Sequence, residues 1–347
     1  MKKSLNWLKE NLFYNYLSGS ISVILIFIFS IMLFNIINWV FIDSVWVGDA
    51  NKCREASGAC IAFIKEKFWF ILFGVYPKDL LWRPILAILI LLSFIYFYAS
   101  KLKNWKKSIL LYFCLVFASY LFLLRGGLGL KVVDTSYWGG LPLTLLLAIC
   151  GITMAYPVGI LLAMGRISNL NVFRYLCIFY IELIRGVPLI SLLFMASVMF
   201  PLFLPEGITV DKLIRAQAAI IMFSAAYLAE VIRGGLQSIS KGQYEAADSL
   251  GLNYAQKMGL IILPQALKIV IPPTVNTMIG MFKDTSLVII IALFDLMGTT
   301  KASLTESKWL GFSMEGYFFI AMIYFLFCFG MSRYSRNLEK ILNKETV

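Results

Sequence analysis

Long apolar runs separated by short polar clusters fill the chain, and their lengths predict what each run can do. A helix needs about 20 apolar residues to cross a hydrocarbon core of roughly 30 Å. Eight stretches qualify once flanking residues extend the shorter ones: Ile21–Phe41, Pro84–Ser100, Ser108–Leu124, Leu143–Met164, Pro188–Phe203, Ala216–Ile232, Ile269–Met297 and Gly316–Met331. The pattern predicts an all-α membrane protein with about eight transmembrane helices. Phe68–Tyr76 is apolar but too short to cross, and Lys65 and Lys67 precede it, which predicts a helix lying in the membrane interface. Lys2, Lys3 and Lys9 before the first run give it the look of a secretory signal. Its apolar length exceeds the usual 7–15 residues, however, and no clear A-x-A site follows, so it is expected to remain as an anchor.

Composition agrees with a lipid-facing surface. Of 347 residues, 60% are hydrophobic and 14% are charged, against about 25% charged in a soluble domain. The net charge of +12 matters through its placement. Lys and Arg lie in short clusters between apolar runs, with no nucleic-acid-binding motif among them, so no nucleic acid partner is expected. With the N-terminus inside, the inside segments hold 18 of the 31 basic residues. The long 42–83 loop weighs little in this rule, and the short 101–107 loop and the C-terminal tail decide it. Both termini are expected in the cytoplasm.

The chain has no His, which excludes His-based catalysis and His-ligated metals, and no metal site is expected. Cys114, Cys150, Cys177 and Cys328 sit in apolar runs and read as small buried hydrophobes. Cys53 and Cys60 stand apart in the polar loop, either bridged, if that loop is extracytoplasmic, or as two free thiols. Trp7, Trp39, Trp46, Trp69, Trp82 and Trp138 lie near span ends, where an aromatic belt is the ordinary explanation.

The segment between the sixth and seventh runs is amphipathic where the other loops are merely polar. From Lys241 it reads KGQYEAADSLGLNYAQKMGLIILPQALK. Ala246, Ala247 and Leu250 fall at helical spacing, Gly251 interrupts, and Tyr254, Met258 and Ile261 resume a period near 3.6. Gly251 suits the left-handed turn between two short helices, and Pro264 can begin the next helix. An interfacial helix resting on lipid would fit the period. Glu245 and Asp248 would then face an anionic leaflet, and the small Ala246 and Ala247 would add little insertion energy. A docking knob for another protein fits better.

The residues Glu245-Ala246-Ala247, then Gly251, then Ile261, Leu263 and Pro264 spell E-A-A-x3-G-x9-I-x-L-P. This resembles the signature loop of permease subunits in bacterial ABC importers, whose coupling helix sits in a groove of the ATP-binding subunit. Tyr180 to Pro188 (YIELIRGVP) looks like the cytoplasmic turn of polar amino acid permeases, with Val187 in place of the usual Thr. Ala225 to Gly235 (AAYLAEVIRGG) and Lys283 to Leu287 (KDTSL) look like the same subfamily. The resemblance covers about residues 137–347. It implies a type I importer permease domain of five helices with a coupling loop at 242–264. Residues 1–136 add three helices and a periplasmic loop at 42–83, and the whole is similar to the M-type permease of the general L-amino acid importer. A bacterial inner-membrane location, an ATP-binding subunit, a second permease in a heterodimer and a periplasmic amino-acid-binding protein are implied with it.

G-x4-G-K-[ST] is absent, so the chain is not expected to be an enzyme or to hold a cofactor. ATP and Mg would be used by the partner subunit. Ionisable residues within spans are costly and are therefore candidates for function. Lys283 and Asp284, with Thr285 and Ser286, offer groups for the carboxylate and ammonium of an amino acid. An internal ion pair and helix cap is the better reading, because adjacent residues do not share a helix face. Glu230 and Arg233, at i,i+3, are expected to pair with each other or with Glu182 and Arg185 as structural pairs. The alternative class is a polytopic secondary transporter or channel for a small polar solute. It would carry inverted repeats or broken helices, which are not evident, and it leaves the 242–264 loop unexplained. Membrane lipid is an expected neighbour in either case.

Overall fold

The computed structural model describes residues 11–100 and 109–344, the side chains of 98–100, 109 and 342–344 excepted. Trp7 and the basic clusters Lys2–Lys9 and Lys101–Lys107 lie outside the described residues. The elements, in order, are α1 (Tyr16–Ile37), α2 (Ala50–Glu55), α3 (Ile61–Phe73), α4 (Trp82–Ser100), α5 (Ile109–Arg125), α6 (Gly140–Arg166), α7 (Asn171–Gly186), α8 (Leu189–Phe194), α9 (Lys212–Ser238), α10 (Lys241–Ser249), α11 (Tyr254–Gln256), α12 (Leu263–Ile269), α13 (Ile271–Asp284), α14 (Leu296–Leu304) and α15 (Ser313–Lys344). No strand occurs among the described residues, so the fold is all-α.

Among the described residues, six helical segments are long and apolar enough to cross a membrane: Tyr16–Ile42, Lys78–Phe97, Gly140–Arg166, Lys212–Ser238, Ile271–Ile291 and Ser313–Ile341. The bent pair Asn171–Gly186 and Leu189–Phe203 makes a seventh candidate, and Leu110–Arg125 is a shorter apolar helix. Each of the eight apolar runs therefore falls on a helix, with two changes of shape. The fifth run is preceded by amphipathic α7, and the pair bends by 101°. Pro188 causes the bend: it forces Val187 into extended backbone (φ −107°, ψ 133°), so α7 ends at Gly186. The seventh run is longer than its span. The span begins after a break at Val270, continues as α13 and a 3-10 turn to Ile291, and stops where Ala292 takes a left-handed φ of 53°. Asp295 then starts a separate helix, accepting from Gly298 N at 2.9 Å. Phe68–Tyr76 continues a helix that begins at Ile61; Phe63 and Ile71 on it are fully buried, while Trp69 and Val75 are exposed.

Contacts divide the chain into two compact units. The first comprises Met1–Phe68 and Leu304–Phe318. Its span, α1, buries no side chain. Beyond it, Val45 N donates to Ala59 O at 2.9 Å, and Cys53 and Cys60 are joined by a disulfide. Phe63 packs on Trp309 and Phe312, with ring centroids 5.4 and 6.4 Å apart. Glu66 accepts from Lys308 Nζ at 2.6 Å and from Trp309 Nε1 at 3.0 Å, while Lys67 pairs with Glu306 at 2.6 Å.

The second unit comprises Trp69–Ser303 and Phe319–Val347, and its centre is the packing of α6 on α9. Gly151, Ala155, Gly159 and Ala163 recur every fourth residue along α6, and all four are buried. A Cβ on Gly159 would lie 3.0 Å from Leu228 Cβ and 3.2 Å from Ala225 O; one on Gly151 would lie 2.9 Å from Ile220 Cγ2. The partner numbers rise together, so the two helices run parallel. Lipid tails are as apolar as Leu, so helices in a membrane gain little from hydrophobicity and associate through close packing of small residues.

A buried polar node ties the other helices to this pair. Thr144 Oγ1 accepts from Leu296 N at 3.0 Å, and Tyr324 Oη donates to Asp295 Oδ2 at 3.2 Å. Thr299 Oγ1 donates to Ile71 O at 2.7 Å. The contacts run from α6 through α14 to α15 and α3, and each satisfies a group that would be expensive to leave unpaired. α5 packs chiefly on α4 and reaches α6 where Tyr120 Oη donates to Pro142 O at 2.7 Å. Of the four cysteines in apolar runs only Cys177 is buried, and Cys114 is exposed on α5, because a lipid-facing position suits a small hydrophobe as well as a core does.

Gly159→Leu should force the α6–α9 backbones apart and lower stability by at least about 2 kcal/mol, a typical overpacking cost. Gly330→Leu, where an added Cβ meets nothing within 4 Å, is the control. Thermal unfolding in detergent should separate the two; equal midpoints would remove the seam from the account.

Candidate functional site

The segment after α9 folds as a clasp of two short helices. α10 ends in paired hydrogen bonds, Leu252 N to Ala247 O at 3.3 Å and Gly251 N to Asp248 O at 2.9 Å. Such a cap requires the left-handed residue that Gly251 supplies with φ 72°. Asn253 opens the return helix with a capping box: Gln256 N donates to Asn253 Oδ1 at 2.9 Å, and Asn253 N to Gln256 Oε1 at 3.1 Å. Lys257 Nζ reaches back to Asp248 at 2.5 Å and closes the clasp. A π turn, Lys257–Ile262, leads into α12, whose first turn holds Pro264.

The inner face of the clasp is anchored. Ala247, Met258, Ile262 and Ala266 are buried, the last three in one cluster with Ala163, Ile181, Ile232 and Leu236. Ile261 and Leu263 are half-buried against it. The outer face shows Glu245, Ala246, Leu250 and Tyr254, with Leu250 74% and Tyr254 55% exposed. The cap turns the chain after Ser249, and Leu250 faces out beside Tyr254. A cluster of exposed apolar groups on an otherwise polar loop is the mark of a protein contact.

Beside this cluster lies a charge network. Glu230 receives Arg166 at 2.8 Å, Arg233 at 3.1 Å and Arg185 at 3.5 Å, and Arg166 also meets Glu182 at 2.9 Å. Arg185 additionally stacks over the Tyr227 ring at 5.5 Å. Sequence reading named four of these five charges and missed Arg166, the last residue of α6, which joins Glu182 to Glu230. Only the α6–α9 packing brings it there. The network ties the ends of α6, α7 and α9 together next to the clasp.

Lys283, Asp284, Thr285 and Ser286 are arranged otherwise. Neither Lys283 nor Asp284 takes part in a salt bridge among the described residues, and Lys283 is exposed. Thr285 Oγ1 donates to Phe282 O and Ser286 Oγ to Lys283 O, both at 2.8 Å, so each hydroxyl gives its proton to its own chain one turn back. No group of three or more His, Cys, Asp or Glu placed to hold a metal occurs among the described residues.

Glu230→Gln should leave three guanidinium groups facing one another and destabilise the protein by about 2 kcal/mol, below the 3–5 of a fully buried pair because solvent still reaches the arginines. Adding Arg166→Gln should recover part of that loss. Simple additivity of the two losses in a double-mutant unfolding cycle would dissolve the network.

Comparison with known proteins now bears on the same segment. The family described as "binding-protein-dependent transport system inner membrane component" matches residues 155–344. The inner membrane amino-acid ABC transporter permease protein YhdY of Escherichia coli is 47% identical over 98% of this chain and 94% of its own length. The glutamate/glutamine/aspartate/asparagine transport system permease protein BztC of Rhodobacter capsulatus is 36% identical over 99% of this chain and 94% of its own. Among solved structures, the crystal structure of an amino acid ABC transporter with histidines superposes with a TM-score of 0.51 at 31% identity, covering 58% of this chain and 91% of that one. The chain is a multi-pass membrane protein and belongs to the family of binding-protein-dependent transport system inner membrane components.

Proposed function

We propose that this chain is the permease subunit of an ABC importer for L-amino acids, and that the clasp at 242–264 is where an ATP-binding subunit drives it. The observation that carries this reading is the two-faced clasp. Its inner side is keyed into the ends of α6, α7 and α9, and its outer side presents Glu245, Ala246, Leu250 and Tyr254. A push on such a unit moves the helices as a body, a rigid-body switch between outward-open and inward-open arrangements. Relatives named for amino acid transport, similar over nearly the whole chain, support the substrate class.

In this reading ATP and Mg belong to the partner, since the chain lacks a phosphate-cradling loop. A second, related permease completes a heterodimer, and a periplasmic amino-acid-binding protein delivers the solute. The clasp and both termini face the cytoplasm of a bacterial inner membrane, and Cys53 and Cys60 face the periplasm. Residues 137–347 are assigned to the five-helix transport domain and residues 1–136 to an extension of three helices. Among the described residues, no ion pair or side-chain cap from Lys283, Asp284, Thr285 and Ser286 holds the seventh span, and exposed Lys283 is the group assigned to a carboxylate in the pathway.

Gly251→Pro, which cannot take the left-handed turn, and Glu245→Lys, which reverses a charge on the outer face, should each cut uptake at least about tenfold by uncoupling while the protein still inserts. The check is amino acid uptake and co-purification of the ATPase in membranes. Normal values of both in both mutants would sink the docking assignment.

Orientation has its own test. An impermeant maleimide applied to intact spheroplasts should label Cys53 and Cys60 only after reduction. Labelling confined to lysed cells would reverse the topology.

A further inference from the structure

The connector from α14 to α15, residues 305–312, has little of its own to fix its course. Its regular structure is one 3-10 turn, Ser307–Trp309, and Gly311 follows with a left-handed φ of 105°. Trp309 nevertheless has no exposed surface, and Phe312 is buried. The groups that hold this stretch come from 239 to 255 residues earlier in the chain.

Three kinds of contact meet there. Phe63 of α3, itself fully buried, closes an aromatic trio with Trp309 and Phe312, whose own ring centroids are 5.6 Å apart. Glu66 and Lys67, adjacent on α3, meet Lys308 and Glu306 at 2.6 Å each, a crossed pairing that fits one register. Lys308 holds the Glu66 carboxyl below its usual range, so the pair stays charged at neutral pH, and Trp309 Nε1 has its acceptor in the same carboxylate. Arg54 Nη2 donates to Lys308 O at 3.0 Å, and Cys60 N donates to Glu315 Oε1 at 3.2 Å.

The segment that makes these contacts needs a staple. α2 has six residues, too few to persist as an isolated helix. Around the two cysteines its buried apolar groups are Val45, Ala50, Ala59, Ala62 and Phe63. So small a core rarely holds together without a cross-link. The Cys53–Cys60 bridge supplies one, joining α2 to the residue before α3. Cys60 is also the residue whose N–H meets Glu315. Backbone bonds extend the hold: Ala62 N donates to Val45 O at 3.0 Å, and Ala59 N to Trp39 O at 2.8 Å.

We propose that residues 45–68 are a strap, set by the Cys53–Cys60 bridge, that holds the 305–312 connector in one conformation, and that solute uptake depends on this hold. The second half rests on the import reading; the first does not. The connector leads into α15, the last span, and Glu315 stands in its first turn. A connector free to change its course would absorb a displacement at that end of α15, whereas a fixed one passes the displacement on. If the contacts served only to fold the extension, loosening them would leave uptake intact.

The test is hydrogen exchange of the full chain with its co-purifying subunits, read by mass spectrometry, beside amino acid uptake by proteoliposomes supplied with ATP and the binding protein. Cys53→Ala combined with Cys60→Ala should speed exchange of the 305–312 amides at least about tenfold and cut uptake about fivefold, as the loss of a short cross-link frees the segment it fixed. The 246–252 amides of the clasp should keep wild-type protection. Lys67→Glu and Glu306→Lys should each speed the same exchange about threefold, the range of an exposed pair, and lower uptake with it. Both reversals together restore an opposite pair and should recover exchange and uptake, and this arm stands even if the cysteine variant fails to fold. The proposal is overturned if folded variants exchange at 305–312 like wild type, if exchange rises while uptake stays normal, or if the double reversal does no better than the single ones. Wild-type vesicles that import no amino acid would overturn the import reading instead, and the exchange arm would still decide the strap.

Discussion

The close approach of α6 to α9 is the constraint on which the rest of the second unit depends. Gly151, Ala155, Gly159 and Ala163 let two parallel helices pack with little between their backbones. Dispersion and fit, the forces available inside a membrane, then act over most of the length of both. Because the helices are parallel, their ends align, and this brings Arg166 beside Glu230 at 2.8 Å. A looser pair would leave the largely buried Arg166 without its carboxylate, which is the more expensive failure.

The same alignment gives the 242–264 clasp something rigid to hold. Ala163 at the end of the seam lies in one cluster with Ile232 and Leu236 of α9 and Met258, Ile262 and Ala266 below it. Small residues at one level, an ion network at the next and an anchored clasp at the last form a continuous path along two helices. The clasp's own stiffness comes from local chemistry: the left-handed Gly251, the Asn253–Gln256 capping box and the Lys257–Asp248 bridge. Each constraint is short-range, so the unit can keep its shape while the helices it grips are displaced.

How much of this was legible depended on whether the signal was local. Apolar length marks a span wherever it occurs, and all eight runs fall on helices. Gly251 and Pro264 announced the turn and the helix start because backbone preference acts within a few residues. α7 escaped because an amphipathic helix beside a Pro-directed bend is too polar for a hydropathy count. Arg166, Asp295 and the seam escaped for a different reason. Hydropathy measures transfer out of water, and in a membrane both lipid-facing and protein-facing positions have made that transfer. It therefore cannot say which small residue is a contact or which buried carboxylate caps a helix. The site residues divide along the same line: the clasp was visible as a pattern, whereas the partners of Glu230 needed three helices in place.

α1 shows the opposite extreme. None of its 22 residues is buried, and it carries no charge. Beyond Ser18 and Ser22, which donate to Leu12 O near its start, little in such a segment distinguishes Ile from Leu, Val or Phe at a given position. It is held to hydrophobicity and length alone. In α6, by contrast, exchanging a single glycine for a larger residue meets a neighbouring helix at once. Two spans of similar apolarity thus hold very different amounts of positional information. Among related chains α1 would drift freely among apolar residues, while the spacing of four along α6 would persist.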